Sequence, residues 1–396
     1  MILISDMKMR EKSRSFKYLS KFSGLTVATA KPKDVPSSPP ASLSPEMDPG
    51  IWSRLPPELL DHVLSFLPLR TYFNLRSTCK HFDSLLYSPS FVSKHSDSSF
   101  SSFLLLAHPQ CFTQFSLYDS TLGTWRSFPF SLSVSLLSAT PSTALLSTAN
   151  GLVCFSLRNS CSFLVCNFLT KSSRLIEFPC HPFAFELLTL VSVPLGYKIF
   201  TLFSDSALVF DSRDHSWRRF DNFEPILGDN HRQEAAYYNG RLYFVTPEPF
   251  SIVSFDLDNG EWEQTDIVMP EELTFVRLVS DGDRKLYMIG GTGTNGISRS
   301  LRLWEFSEQG NWVEVESVPQ MICKKFMSIC YHNYEHVYCF WHQGTICLCC
   351  FTWPEILYYK FCRRSWHWLP KCPSLPERWS CGFRWFSFVP ELYASP

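Results

Sequence analysis

The sequence predicts a multidomain chain that joins α and all-β parts, a small helical unit followed by a six-bladed β-propeller. Three observations carry this. Apolar residues between Ile51 and Phe91 recur at helical spacing. From Phe100 onward the pattern changes to short apolar runs of 5 to 8 residues, separated by Gly, Asn, Asp, Ser and Pro. Within that second part, anchors at positions 125, 174, 217, 262, 312 and 366 lie 43 to 54 residues apart, the spacing of a four-stranded propeller blade.

Residues 1–50 carry Lys8, Arg10, Lys12, Arg14, Lys17, Lys21, Lys31 and Lys33, then a Pro and Ser cluster from Pro36 to Pro45. No apolar period organises them, so a disordered tail is expected. The basic, Ser-containing composition also fits an organelle transit peptide, which Asp6 and Glu11 interrupt, and a solvated tail is the simpler reading. A helical unit is expected over 51–95. Leu59, Leu60, Val63, Leu64 and Leu67 fall on one helical stripe, with Pro56 and Pro57 tolerated in the first turn and Pro68 as the stop. Leu75, Cys79, Phe82 and Leu86 repeat the pattern before Pro89. Roughly 40 residues bury too little surface to be stable alone, so this unit should lean on a partner.

The propeller is expected over 100–396. Three of its repeats read alike: Tyr118-Asp119 with Trp125, Phe210-Asp211 with Trp217, and Phe255-Asp256 with Trp262. Looser copies are Cys166-Asn167 with Arg174, Trp304-Glu305 with Trp312, and Tyr359-Lys360 with Trp366. Tight hairpins at Asn150-Gly151, Asn239-Gly240 and Asp281-Gly282 should separate strands a and b, because Asn-Gly and Asp-Gly accept positive φ. Strand c then ends at the Asp and strand d begins at the Trp. Only two strands, Phe103 to Ala107 and Phe112 to Tyr118, precede the first anchor, so a strand from 381–389 is expected to enter the first blade and close the ring. Leu187 to Phe203, interrupted by Pro194, Gly196 and Lys198, reads as two strands, being shorter than the roughly 20 residues of a membrane span.

A net charge of -1 supplies no field for polyanions, so nucleic acid is not an expected partner, and neither is a membrane. Met1 to Lys17 lack the apolar core of a secretory signal, which points to the cytoplasm and/or nucleus and to reduced thiols. The 15 cysteines, an odd number, should mostly be small buried hydrophobes. Cys347, Cys349 and Cys350 lack the paired C-x2-C spacing of a structural zinc site, so no metal or cofactor is expected. His332, His336 and His342 read as solvated loop residues, and Gly290 to Gly296 as a mobile loop without the Lys-Ser/Thr ending of a phosphate cradle. The recurring Trp residues read as packing. No catalytic constellation stands at recognisable spacing.

The run Leu55-Pro56-Pro57-Glu58-Leu59-Leu60, Val63 to Leu69 and Leu75-Arg76-Ser77-Thr78-Cys79-Lys80-His81-Phe82 resembles an F-box, with Thr78 where that family usually has Val and Phe82 where Trp is usual. The repeats resemble divergent kelch blades of plant F-box/kelch-repeat proteins, although only Gly290-Gly291 keeps the kelch glycine pair. Asn150 to Phe155 with Val165-Cys166-Asn167 looks more like plant F-box-associated repeats. The resemblance implies a non-catalytic substrate-recognition subunit of an SCF-type ubiquitin ligase. It also implies adaptor contacts at Leu55, Pro56, Leu59, Leu60, Val63, Leu64, Leu67, Leu75, Cys79, Lys80 and Phe82, made to a SKP-family protein that joins cullin and RING subunits. The b–c and d–a loops should face an unknown target protein, with Phe183, Phe185, Arg232, Phe250, Arg299 and Arg378 as expected anchors. Two other readings stand beside it: an F-box scaffold acting outside the ligase, and a kelch-type enzyme with a central Tyr/His metal site.

Overall fold

A computed structural model describes residues 54–67, 71, 75, 78–85, 88, 91, 102–110, 114–129, 143–203, 206–221, 233–282, 284–330, 333–375 and 380–396. The tail expected over 1–50 lies outside them. Helices α1 (Pro57–Ser65) and α2 (Lys80–Ser84) come first. Six four-stranded antiparallel sheets follow. Strands β1 (Phe103–Ala107), β2 (Gln114–Asp119) and β3 (Thr124–Pro129) open the first blade. The second blade holds β4 (Thr143–Ala149), β5 (Leu152–Leu157), β6 (Ser162–Asn167) and β7 (Ser172–Glu177), and the third β8 (Leu187–Val193), β9 (Gly196–Leu202), β10 (Ala207–Asp211) and β11 (Ser216–Phe220). The fourth runs β12 (Ala236–Tyr238), β13 (Arg241–Val245), β14 (Ile252–Asp256) and β15 (Trp262–Gln264). The fifth contains β16 (Leu273–Ser280), β17 (Leu286–Thr294), β18 (Ile297–Phe306) and β19 (Trp312–Ser317). Helix α3 (Gln320–Cys330) leads to the sixth blade, β20 (Val337–His342), β21 (Thr345–Cys350), β22 (Trp353–Lys360) and β23 (Ser365–Trp368), after which β24 (Arg384–Phe388) joins the first sheet.

The repeat has a local cause. At the end of strand c the Asp carboxylate accepts the backbone N–H groups of the turn it enters: Asp119 Oδ1 from Thr121 and Leu122, Asp256 Oδ1 from Asp258 and Asn259. The turn returns the chain so that the Trp of strand d sits opposite the ring of strand c, at 5.1 Å for Tyr118–Trp125, 5.3 Å for Phe210–Trp217 and 4.7 Å for Phe255–Trp262. Phe306–Trp312 and Tyr359–Trp366 repeat the pair at 5.2 and 5.1 Å. The indole N–H of Trp125 donates to Pro370 O and that of Trp217 to Glu177 O, each in the preceding blade. These tryptophans therefore pack the blades and stitch them.

Strand β24 is innermost in the first blade, pairing Phe103 with Phe388 and Ala107 with Arg384. Its flanks are tied on both sides. Tyr338 of the sixth blade donates through Oη to Phe383 O and accepts from Trp385 N, and Thr148 of the second blade donates to Ser387 O. His342 contradicts the expectation of a solvated loop residue. It is 3% exposed and bonds Ser120 and Ser387 through its two ring nitrogens, and burial pushes its pKa down to about 4. The other two of that trio differ: His336 is half-buried in a short 3-10 turn and His332 lies outside the described residues.

The Gly-rich segment is likewise corrected. Gly290 and Gly291 lie inside β17, and the turn that follows is Asn295-Gly296, both at positive φ. A Cβ on Gly290 would stand 2.7 Å from Phe275 O, so the glycine lets β16 come close rather than loosening the chain. Helix α3 is absent from a reading in strands and turns. It buries Cys323, Phe326, Met327 and Cys330 at i, i+3, i+4 and i+7, a helical signal present in the sequence.

Truncating Trp385, 2% exposed in β24, should cost about 3–5 kcal/mol. A lowered denaturant midpoint of Trp385→Ala reads this, and an unchanged midpoint would mean that the seam carries little of the stability. Because burial lowers the pKa of His342 from 6.5 to about 4, stabilisation by its neutral form is complete above pH 6.5 and lost as the pH falls toward 4. A His342→Gln variant should lose stability less steeply over that window in pH-resolved melting.

Candidate functional site

Helix α1 starts without a side-chain cap. Pro57 sits at its first position, where no N–H is needed, and Leu59 and Leu60 donate their N–H groups to Pro56 O at 3.0 and 3.1 Å. The single apolar stripe expected from the sequence is two stripes in the structure. Leu60, Leu64 and Leu67 turn inward to a cluster that includes Leu75, Phe82, Leu85, Phe91, Leu169 and Leu392, and Leu64 is only 4% exposed. Leu59, Val63 and Phe66, at i, i+4 and i+7, face outward with 52%, 40% and 72% exposure. Phe66 is not among the expected contacts, though it completes the outward period.

Cys79 caps α2 by accepting the N–H of Phe82 through Sγ, and His81 Nε2 lies 3.0 Å from Asp61 Oδ1, tying α2 to α1. Cys79 and Lys80 are exposed beside this junction. Pro56 is exposed and Leu55 half-buried. Leu64 is withdrawn from any outer face and supports the outward stripe from beneath.

The expected propeller anchors separate too. Phe183 and Phe185 pack with Phe163 at 5.3 and 5.5 Å and with each other at 5.6 Å, and both are half-buried against the core of the second and third blades. Phe250 packs partly buried beside Ala236, Ile252 and Leu286. Arg299 is exposed on β18. Arg232 and Arg378 lie outside the described residues.

A central cavity of about 420 Å³ opens among the innermost strands. Its walls include Gln233, Glu234, Tyr338 and Arg384. Gln233 spans blades: Nε2 donates to Leu278 O and Cys339 O, and Oε1 accepts Cys339 N. Glu234 accepts from Ser147 Oγ at 2.6 Å, and Ser147 Oγ accepts from Leu190 N. Desolvation pushes the Glu234 carboxyl up to about 7, partly opposed by Arg384. Among the described residues no group of three or more His, Cys, Asp or Glu side chains converges to hold a metal ion. Cys347, Cys349 and Cys350 of β21 are buried in its sheet. No helix of the described residues is long and apolar enough to cross a membrane.

The F-box domain family matches residues 52–94. An F-box/kelch-repeat protein of Arabidopsis thaliana is 54% identical over 375 residues, covering 91% of this chain and 92% of that protein. The protein UNUSUAL FLORAL ORGANS of the same plant is 25% identical, covering 83% of this chain and 80% of its own length. ABERRANT PANICLE ORGANIZATION 1 of Oryza sativa is 25% identical, with 90% and 92% covered.

The carboxyl in the channel makes a pH-dependent contribution. With its pKa raised from 4.5 to about 7 in the folded state, Glu234 retains a proton that the unfolded chain has lost, so its contribution falls as the pH rises from 4.5 to 7. Glu234→Gln should gain about 1–2 kcal/mol on the parent protein between pH 5 and 8. Denaturant melts of both proteins across that range test this, and a constant difference between them would place the carboxylate in a well-solvated setting.

Proposed function

Because the chain belongs to the F-box/kelch-repeat family of plant proteins, we propose that it is the substrate-recognition subunit of an SCF-type ubiquitin ligase. The helical unit binds a SKP-family adaptor and through it cullin and RING subunits, and the propeller holds the protein to be tagged. The observation that carries this reading is the outward stripe of Leu59, Val63 and Phe66 on α1, an apolar surface inside the segment that matches the F-box family. Leu55 and Pro56 precede it in the chain and Cys79 and Lys80 are exposed at the start of α2, while Leu60, Leu64, Leu67, Leu75 and Phe82 hold its shape from within.

In this reading the chain performs no bond chemistry. It raises the effective concentration of target lysines near the ubiquitin thioester carried by its partners. The chain enters and leaves the first blade beside β1 and β24, on the side of the a–b and c–d turns, and Leu169 and Leu392 meet the helical unit there. The opposite side, formed by b–c and d–a connections with Arg299 among its exposed residues, is left for the target. Cytoplasm and nucleus are the compartments in which such a ligase would meet its partners.

A Leu59→Asp/Val63→Asp variant of the full chain should lose about 100-fold in affinity for a purified plant SKP-type adaptor, or ~2.7 kcal/mol, with unchanged propeller melting. Wild-type chain should also retain cullin when adaptor is supplied. Adaptor bound without cullin would favour a scaffold acting outside the ligase, and full affinity in the double variant would mean that another surface docks the adaptor.

A further inference from the structure

At the end of strand c the side chain is Asp in the first, third and fourth blades, at positions 119, 211 and 256, and Asn in the second, at Asn167. The turn-making role is the same in both cases. Asn167 Oδ1 accepts the N–H of Leu169 at 2.9 Å and of Thr170 at 3.5 Å, as the aspartates do in their own turns. What the amide adds is donation. Asn167 Nδ2, fully buried, gives one hydrogen bond to Glu391 O at 2.7 Å and another to Ala394 O at 2.8 Å. A carboxylate in that place accepts only and would face two carbonyl oxygens.

The carbonyls belong to the segment that follows β24, which crosses the second blade at Gly151. There φ is +76°, and a Cβ would stand 2.7 Å from Glu391 N, so only glycine leaves room for the crossing backbone. Between the two bonded carbonyls lies Leu392, 3% exposed in the cluster with Leu64 of α1, Leu85 and Phe91. Leu169, on the turn that Asn167 shapes, enters the same cluster. Ring closure is complete at Phe388, so none of these contacts serves the sheet of the first blade.

We propose that Asn167, Gly151 and Leu392 form a clasp that holds helix α1 in one orientation on the propeller, with Asn167 as a positioning residue for the adaptor-binding face. The purpose rests on the ligase reading above. The clasp itself does not. A nine-residue helix has little stability of its own, so its backbone protection depends on the cluster that Leu392 completes. Substituting Asn167→Asp keeps size and turn geometry and opposes two carbonyl oxygens with charge, which should release the segment and with it Leu392.

Amide hydrogen exchange on the full chain, wild type against Asn167→Asp and Leu392→Ala, tests this. Exchange over 57–65 should quicken about tenfold or more in both variants, while β8 and β9 of the third blade keep their rates. Unchanged exchange at α1 in both variants overturns the proposal, and so does a uniform rise across the propeller, which would make Asn167 a support of the second blade alone. If wild-type chain binds no adaptor yet α1 exchange still responds, the ligase reading fails and the clasp stands.

Discussion

The antiparallel ladder between β24 and β1 is the constraint on which the rest of the structure depends. Five blades are each built from consecutive strands and satisfy their own hydrogen bonds. The first is not, because its innermost strand arrives from the far side of the ring. Until Arg384–Phe388 pairs with Phe103–Ala107, the first sheet lacks an inner strand and the second and sixth blades lack a neighbour. The apolar surface at stake is large, since Leu104, Leu105, Leu106, Trp385, Phe386 and Phe388 are all buried there. Once paired, the same strand delivers Glu391, Leu392 and Ala394 to the second blade, so the placement of α1 follows from the closing of the ring.

Around that ring, every seam between blades carries a polar side chain whose partner lies in the next blade. His342 and Tyr338 join the sixth blade to the first, and Thr148 and Arg384 the first to the second. Ser147 joins the second to the third, and Thr189, accepting Ala235 N, the third to the fourth. Gln233 joins the fourth to the fifth and sixth, and Arg277, donating to Val337 O and Tyr334 O, the fifth to the sixth. Buried Lys198 of the third blade meets buried Asp211 beside it and the more open Asp258 of the fourth, and the Arg213 guanidinium beside Asp211 holds its carboxyl down at about 2. Such groups cost desolvation wherever they are buried, and each recovers it only when its neighbour blade is in place. Apolar packing alone would let sheets slide over one another. Directional bonds at each seam fix their angle and hence the width of the channel.

The features that arise locally are legible in the chain. The blade period, the Asx turn and the opposed aromatic pair all come from residues within about ten positions of one another, so chemistry and spacing report them directly. The same holds for the F-box segment, whose helical period and proline stops are written into adjacent residues. The single apolar stripe expected on α1 lacks Phe66 and divides in the structure between two faces. Val63 is open while its neighbour Leu64 is covered, and nothing between Pro56 and Pro68 distinguishes the two. His342, expected in solvent, is buried because Ser120 and Ser387 meet it from another blade. Phe183 and Phe185 resemble exposed anchors because they sit in a connection, yet packing against Phe163 and Phe178 leaves them half-buried.

The order of strands within each blade, the number of blades and the identity of the helical unit follow from the chain's own periodicity, because backbone conformation answers to residues a few positions away. Which faces remain open, which polar groups lose water and where α1 is held follow from contacts between residues hundreds of positions apart. Asn167 illustrates the division. Its carbonyl oxygen makes a turn that any reader of the repeat expects, and its amide nitrogen makes bonds to Glu391 and Ala394 that exist only because the ring brings them there. An Asn in place of Asp is a small change in sequence, and its meaning depends on a partner supplied by the fold.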